Sequence, residues 1–183
     1  IFREVEDRDL ILRSRKGDVD AYNILVSRWE KRVYNYLLRQ LRNREDALDL
    51  TQDTFLKAYQ GLSRLKEPDR FTQWLFRIAR NEAVSLFRRT NRFTDEEVPE
   101  AAEGGAISVA GARAFPMEWS LTVGRALDRL TPAQREPVLL KVYEGFKFHE
   151  IAEILSCPVS TVKSRLYTAF EALKASLAPV TSD

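Results

Sequence analysis

A single cysteine, Cys157, and a single histidine, His149, cannot build a disulfide framework or a zinc site, and no other residues have metal-ligand spacing. Neither metal nor cofactor is expected. No apolar run approaches the length needed to span a bilayer, and the stretch IFREVEDRDL is charged where a secretion signal would be apolar. The chain is therefore expected in the cytoplasm, with no membrane insertion. Glycine is scarce, and three of the seven glycines, Gly104, Gly105 and Gly111, fall in one stretch, which leaves no phosphate-cradling loop. With no Ser-His-Asp set and no paired carboxylates in a cleft either, an enzyme is not expected.

What is present is enough for one real core or two small ones, since 44% of the 183 residues are hydrophobic. The net charge of +2 is too small to announce a nucleic-acid binder, but its distribution is informative. Lys and Arg stand against Asp and Glu at 20 to 14 over residues 1–93, 1 to 6 over residues 94–120 and 8 to 7 over residues 121–183. The acid is concentrated in the middle, in TDEEVPEAAEGGAISVAGARAFP, which has glycines, prolines and no sustained amphipathic period. That composition predicts a linker over residues 94–120, either a passive tether or a mimic of nucleic-acid charge.

Both flanks have helical periodicity. Tyr22, Leu25, Val26, Trp29, Val33, Leu37 and Leu41 recur every three or four residues, as do Phe71, Trp74, Leu75, Ile78 and Leu86. Gly17 reads as a helix stop after residues 13–16, and Gly61 as the stop of a helix over residues 45–60. The prediction is all-α: about four helices over residues 1–93, the linker, and a second helical domain over residues 121–178. In the latter, Thr131-Pro132-Ala133-Gln134 is a capping box with proline at the first helical position, and that helix is expected to stop at Gly145.

The strongest local pattern is a helix-turn-helix over residues 131–173. Ile151, Leu155, Val159, Val162 and Leu166 can close a core between two short crossing helices, with the small Ala152 at their approach. Pro158 is expected to end the first helix and Ser160 to N-cap the second. With Val162, Leu166, Ala169, Phe170 and Leu173 inward, Thr161, Ser164, Tyr167 and Thr168 point outward, and Lys163 and Arg165 flank them. Short hydroxyls, one ring and bordering cations suit a major groove.

Upstream, Asp46, Asp49 and Asp53 share a helical face with Gln52, while Leu48, Phe55 and Tyr59 are assigned to the buried side. Carboxylates would repel phosphate, so a basic protein surface is their expected partner, against the alternative of a solvated face. In the next helix Arg77, Asn81, Val84 and Arg88 recur at four, three and four residues, with Arg80 and Arg89 nearby. Arginines there can hold phosphates, and the Asn81 amide can pair with a base edge. His149 is expected to be solvated or capping, Cys157 partly buried in the turn, and Trp29, Trp74 and Trp119 to serve packing.

EIAEILSCPVSTVKSRLYTAFEAL resembles region four of the extracytoplasmic-function, or group IV, sigma factors of bacteria, and GDVDAYNILVSRW, EDALDLTQDTFLKAY and FTQWLFRIARNEAVSLFRR resemble their region two, in the same order. The resemblance implies a subunit that binds core RNA polymerase, docking Asp46, Asp49, Gln52 and Asp53 on the clamp helices of the largest subunit, and that also contacts the flap. It implies promoter DNA as the second partner. Region two would melt and read the minus-ten element with Arg77, Arg80, Asn81, Arg88 and Arg89, and with a loop over residues 63–70, including Arg64, Lys66 and Arg70, that captures an extruded base. Region four would read the minus-thirty-five element with Ser160, Thr161, Lys163, Ser164, Arg165, Tyr167 and Thr168. An anti-sigma protein is a further implied partner. The chain departs from the family pattern at Ser85, where an aspartate is usual, at Lys147, where a Ser or Thr cap is frequent, at Ser160, where glycine is frequent, and at Thr168, where arginine is frequent. A stand-alone helix-turn-helix regulator with a sensor or dimerisation half is the rival reading.

Overall fold

In the computed structural model, which describes residues 5–93 and 117–178, every regular element is helical, and the chain divides into two units, Ile1–Glu96 and Glu97–Asp183. The expected linker lies outside the described residues up to 116. Residues 117–120, assigned to it by sequence, form the first turn of a helix.

The first unit contains α1 (Asp7–Arg15), α2 (Val19–Leu41), α3 (Arg44–Gly61) and α4 (Phe71–Phe93). Short polar side chains set where the helices begin. Asp18 accepts from the Ala21 N–H at 3.0 Å and Asn43 from the Asp46 N–H at 3.1 Å, each satisfying a donor that the first helical turn leaves orphaned. That backbone bond, joined by Arg13, holds the Asp18 carboxyl below the usual aspartate range. Gly17 at φ +91° reverses the chain after α1, as the sequence predicts.

Gly61 is the last residue of α3, where the sequence places the stop, but it does not stop the helix by a left-handed turn. Its φ of −95° suits any residue, and α3 runs on into a single 3-10 turn, Leu62–Arg64. The glycine serves close approach instead, because a Cβ there would stand 3.3 Å from the Trp74 ring.

Periodicity becomes packing through Leu10, Ile11, Leu25, Val33, Leu37, Phe71, Leu75 and Phe76, all buried. Tyr36 meets Phe76 edge-on, centroids 5.5 Å apart, and the Tyr22 hydroxyl donates to the Phe55 carbonyl at 2.5 Å. Asp7 ties α1 to α2 by accepting from Arg28 at 2.7 Å and from the Trp29 indole at 2.8 Å. Trp29 is thus a packing residue, half-buried and covered by the Arg32 guanidinium at 4.7 Å.

The second unit contains α5 (Met117–Asp128), α6 (Pro132–Val138), α7 (Phe148–Leu155) and α8 (Val159–Leu177). Thr131 and Gln134 form the expected reciprocal capping box at 3.3 and 3.1 Å. The buried Arg135 closes the corner before it, donating to the carbonyls of Leu127, Asp128 and Leu130 at 3.0–3.1 Å. Pro137 has no N–H to give the preceding turn, and the helix widens after it into a π turn, Leu139–Tyr143. Glu144 N–H reaches Leu139 O at 3.2 Å, and Gly145 at φ +73° then ends the element where the sequence places the stop.

The turn between α7 and α8 corrects two expectations. Ser156, at φ 53°, is the residue that ends α7, and Pro158 stands at the N-cap of α8. Ser160 lies inside the first turn and its hydroxyl caps nothing, because the Pro158 carbonyl already receives the Thr161 and Val162 N–H groups at 3.0 and 3.2 Å. Ile154 joins Ile151, Leu155, Val162, Leu166 and Ala169 in the core, whereas Val159 is half-buried. Phe170, assigned inward, is 46% exposed because it sits roughly 80° around the helix from Val162 at about 100° per residue. Leu173 is half-buried.

Two substitutions distinguish these turn assignments by chemical denaturation of the second unit. Ser156→Gly removes the side chain from a left-handed residue and is expected to raise stability by about 0.5–1 kcal/mol. Ser160→Ala is expected to change it by less than about 0.5 kcal/mol, against the ~1 kcal/mol that loss of a working N-cap costs.

Candidate nucleic-acid interface

Helix α3 buries Ala47, Leu50, Thr54, Phe55 and Ala58 against α2 and α4. That inner stripe leaves Asp49, Gln52 and Asp53 exposed and Asp46 half-buried, so the four sequence-chosen residues share one outward face. Leu48 and Tyr59 do not lie on the buried side. They are 48% and 42% exposed, since Leu48 is turned about 100° from the inward Ala47 and Tyr59 rests at the edge of the core against Tyr22, ring centroids 4.9 Å apart. Sequence reasoning also missed Leu56, which is 56% exposed three residues after Asp53 and seven after Asp49. The spacing was a usable signal: a leucine in phase with carboxylates makes the face amphipathic, suiting a protein more than open water.

Helix α4 turns Phe71, Leu75, Phe76, Ala79 and Ala83 inward and leaves Arg77, Asn81, Arg88 and Arg89 exposed, with Arg80 and Val84 half-buried beside them. Ser85, at the family aspartate position, is exposed and carries no charge. The one acidic residue of α4, Glu82, is nearly buried and pairs with Lys57 of α3. Its inward course keeps the one acid of α4 off the arginine-bearing face.

Residues 63–70 are more ordered than the expected loop. They hold two 3-10 turns, Leu62–Arg64 and Pro68–Arg70, with Leu62 and Leu65 buried and Arg64, Lys66 and Arg70 exposed. Arg70 meets Glu67 at 3.0 Å, and Asp69 meets Arg8 of α1 at 2.9 Å. Arg15 of α1 donates through Nε to the Leu62 carbonyl at 3.1 Å and through Nη2 to the Leu65 carbonyl.

On α8, Ser160, Lys163, Ser164, Tyr167 and Thr168 are exposed, and Thr161 and Arg165 half-buried. Tyr167 is 70% exposed, a large ring with little protein around it. The Thr168 hydroxyl donates to the Ser164 carbonyl at 3.0 Å. Lys163 and Lys141 approach the Phe148 ring at 5.5 and 4.6 Å, so the start of α8 and the π turn bring two cations to the first residue of α7. Lys147 replaces a capping hydroxyl, and half of the cap survives because its N–H donates to the Glu150 carboxylate at 2.7 Å. His149 is exposed and Cys157 half-buried with a free thiol. Among the described residues no His, Cys, Asp and Glu cluster could hold a metal, and no helix is long and apolar enough to cross a membrane.

Comparison with known proteins matches residues 25–93 to Sigma-70 region 2 and residues 120–173 to Sigma-70 region 4. The chain is 32% identical to the ECF RNA polymerase sigma-E factor of Escherichia coli K12, covering 97% of each. It is 30% identical to the RNA polymerase sigma-H factor of Pseudomonas aeruginosa, covering 96% of this chain and 95% of that protein. Among solved structures it resembles the sigma factor RpoE of Bartonella quintana, solved with the anti-sigma factor NepR, at a TM-score of 0.72, 26% identity and coverage of 85% and 96%. It also resembles CnrH, solved with the cytosolic domain of CnrY, at 0.66, 26% identity and coverage of 92% and 95%.

Proposed function

The chain belongs to the extracytoplasmic-function sigma factors, promoter-recognition subunits of RNA polymerase rather than enzymes, and on that premise we propose a division of labour among its exposed faces. The observation that carries the reading is charge separation within the first unit: α3 offers carboxylates around a bare leucine, and α4 offers arginines around an amide.

The α3 face, Asp46, Asp49, Gln52 and Asp53 with Leu56 among them, docks on core polymerase at the clamp helices of the largest subunit. A basic helical surface satisfies the carboxylates, and desolvation of Leu56 adds an apolar contribution that repulsion from DNA phosphate would deny it. The α4 face works on the minus-ten element: Arg77, Arg80, Arg88 and Arg89 hold backbone phosphates, and Asn81 reads a base edge. Arg64, Lys66 and Arg70 line the segment that receives an extruded base, because unpairing without ATP must be offset by binding of the unstacked base and strand.

Residues 160–168 of α8 approach the minus-thirty-five element through Ser160, Thr161, Lys163, Ser164, Arg165, Tyr167 and Thr168, while the second unit also engages the polymerase flap. With so few cations the helix gains little from counterion release, so binding by this unit alone is weak. Residues 1–93 and 117–178 are the two working domains and residues 94–116 their tether. The chain works in the cytoplasm beside its polymerase and is held in check by an anti-sigma factor, a reading supported by its likeness to a sigma factor solved in complex with one.

In vitro transcription with core polymerase and a promoter pool tests the whole reading; failure to direct initiation from any promoter defeats it. Asp49→Arg and Leu56→Glu are each expected to weaken core binding on the order of a hundredfold with unchanged circular dichroism. Undiminished pull-down of core by both variants would remove the α3 face from the interface. Asn81→Ala is expected to reduce permanganate reactivity of minus-ten thymines while leaving duplex affinity within about twofold, the loss of one hydrogen bond being small beside many phosphate contacts. Full reactivity would take Asn81 out of the readout.

A further inference from the structure

The segment between α3 and α4 has few hydrogen bonds of its own. Leu65 N–H reaches Leu62 O at a long 3.3 Å and Arg70 N–H reaches Glu67 O at 3.0 Å, each closing one 3-10 turn. Leu65 and Glu67, near its middle, are extended, with ψ of 106° and 107°. Such a stretch keeps one shape only if a donor or acceptor from elsewhere in the fold fixes it.

Helix α1 supplies that donor. Arg15 lies in its last turn, half-buried, and its planar guanidinium spans two carbonyls, Leu62 O through Nε at 3.1 Å and Leu65 O through Nη2. Both carbonyls lie at the C-terminal end of α3 and its 3-10 extension, Leu62 O accepting only the long Leu65 N–H bond there, and at such an end a cation is favoured. They bracket Arg64 and adjoin Lys66, both exposed. Burial of Leu62 and Leu65 pins the inner side of the segment, and the Arg15 fork fixes the rotation of the peptide planes that aim Arg64 and Lys66 outward. A second link, Arg8 with Asp69, has both side chains mostly exposed, at 54% and 72%, and contributes little. Asp7 anchors the other end of α1 on Arg28 and Trp29 of α2, so the fork is held on a fixed support.

We propose that Arg15 is the positioning residue of the base-capture segment, holding residues 62–66 in the receiving shape before DNA arrives. This rests on the capture role given to that segment above. Preorganisation of this kind acts on the extruded base and leaves core docking by the opposite-signed α3 face unaffected.

The test uses holoenzyme formed from full chain and core polymerase, with the single-stranded non-template minus-ten sequence of a promoter it transcribes, intact or with an abasic site stepped through it. Wild type is expected to lose affinity sharply at one abasic position. Arg15→Met, which keeps the apolar stem, is expected to bind the intact strand about tenfold more weakly, the scale of two lost charged hydrogen bonds partly replaced by water, and to lose most of its sensitivity at that position. Arg15→Lys, with a single point donor, is expected to fall between them. Amide exchange in the free full chain should quicken over residues 62–66 in Arg15→Met and stay unchanged in α2, which separates positioning from global destabilisation. If wild type shows an abasic-sensitive position and Arg15→Met and Arg15→Lys keep it in full, the role of Arg15 is overturned. If wild type shows no such position, the capture reading itself falls, and the Arg15 proposal with it.

Discussion

Lys57 of α3 and Glu82 of α4 pair across the contact between the two helices, with Glu82 nearly buried and Lys57 half in water. After Arg44 in its first turn, Lys57 is the one base on α3, and Glu82 is the one acid on α4. Their pairing neutralises the off-sign charge of both helices at once. Each helix can then present a surface of nearly uniform sign although the two are neighbours. An uncompensated Glu82 would either charge the DNA-facing side negatively or sit unpaired in a poorly solvated place, and both are costly. Alanines on both inner stripes, Ala47 and Ala58 on α3 and Ala79 and Ala83 on α4, keep those stripes slim where the helices pack.

Much of this architecture is legible along the chain. The three-and-four spacing of Tyr22, Leu25, Val33 and Leu37 becomes the buried side of α2, and the Thr131 capping box appears with both of its bonds. The arginine and carboxylate faces emerge where the period puts them, since side-chain direction follows from helical geometry alone. What escaped depends on distant partners. Nothing near residues 62–70 announces two 3-10 turns, because the donor that holds the first of them, Arg15, lies 47 residues before Leu62. Leu48 and Tyr59 were assigned inward on apolarity, but α3 meets its neighbours through small residues and a narrow stripe, leaving larger side chains outside. Ser160 has the right chemistry for a cap in the wrong place, as proline one residue before α8 had already taken the N-cap position.

The two units contribute unequally to DNA affinity under the proposed reading. The first carries a run of arginines on a long, well-packed helix, whereas the second offers mainly hydroxyls, Tyr167 and a margin of lysines around Phe148. Such a surface discriminates better than it grips. Joining it to a strongly held partner turns a weak contact into an effective one, because the second binding event becomes intramolecular.

The Thr168 hydroxyl has its proton committed to the Ser164 carbonyl, one turn back on α8. Towards a base edge it can offer lone pairs and a methyl group but no hydrogen. An exocyclic amine of adenine or cytosine can donate to it and a thymine methyl can pack beside it, while the paired acceptors of guanine find nothing to bind. Under the proposed readout this position would select by refusal, tolerating several bases and disfavouring one.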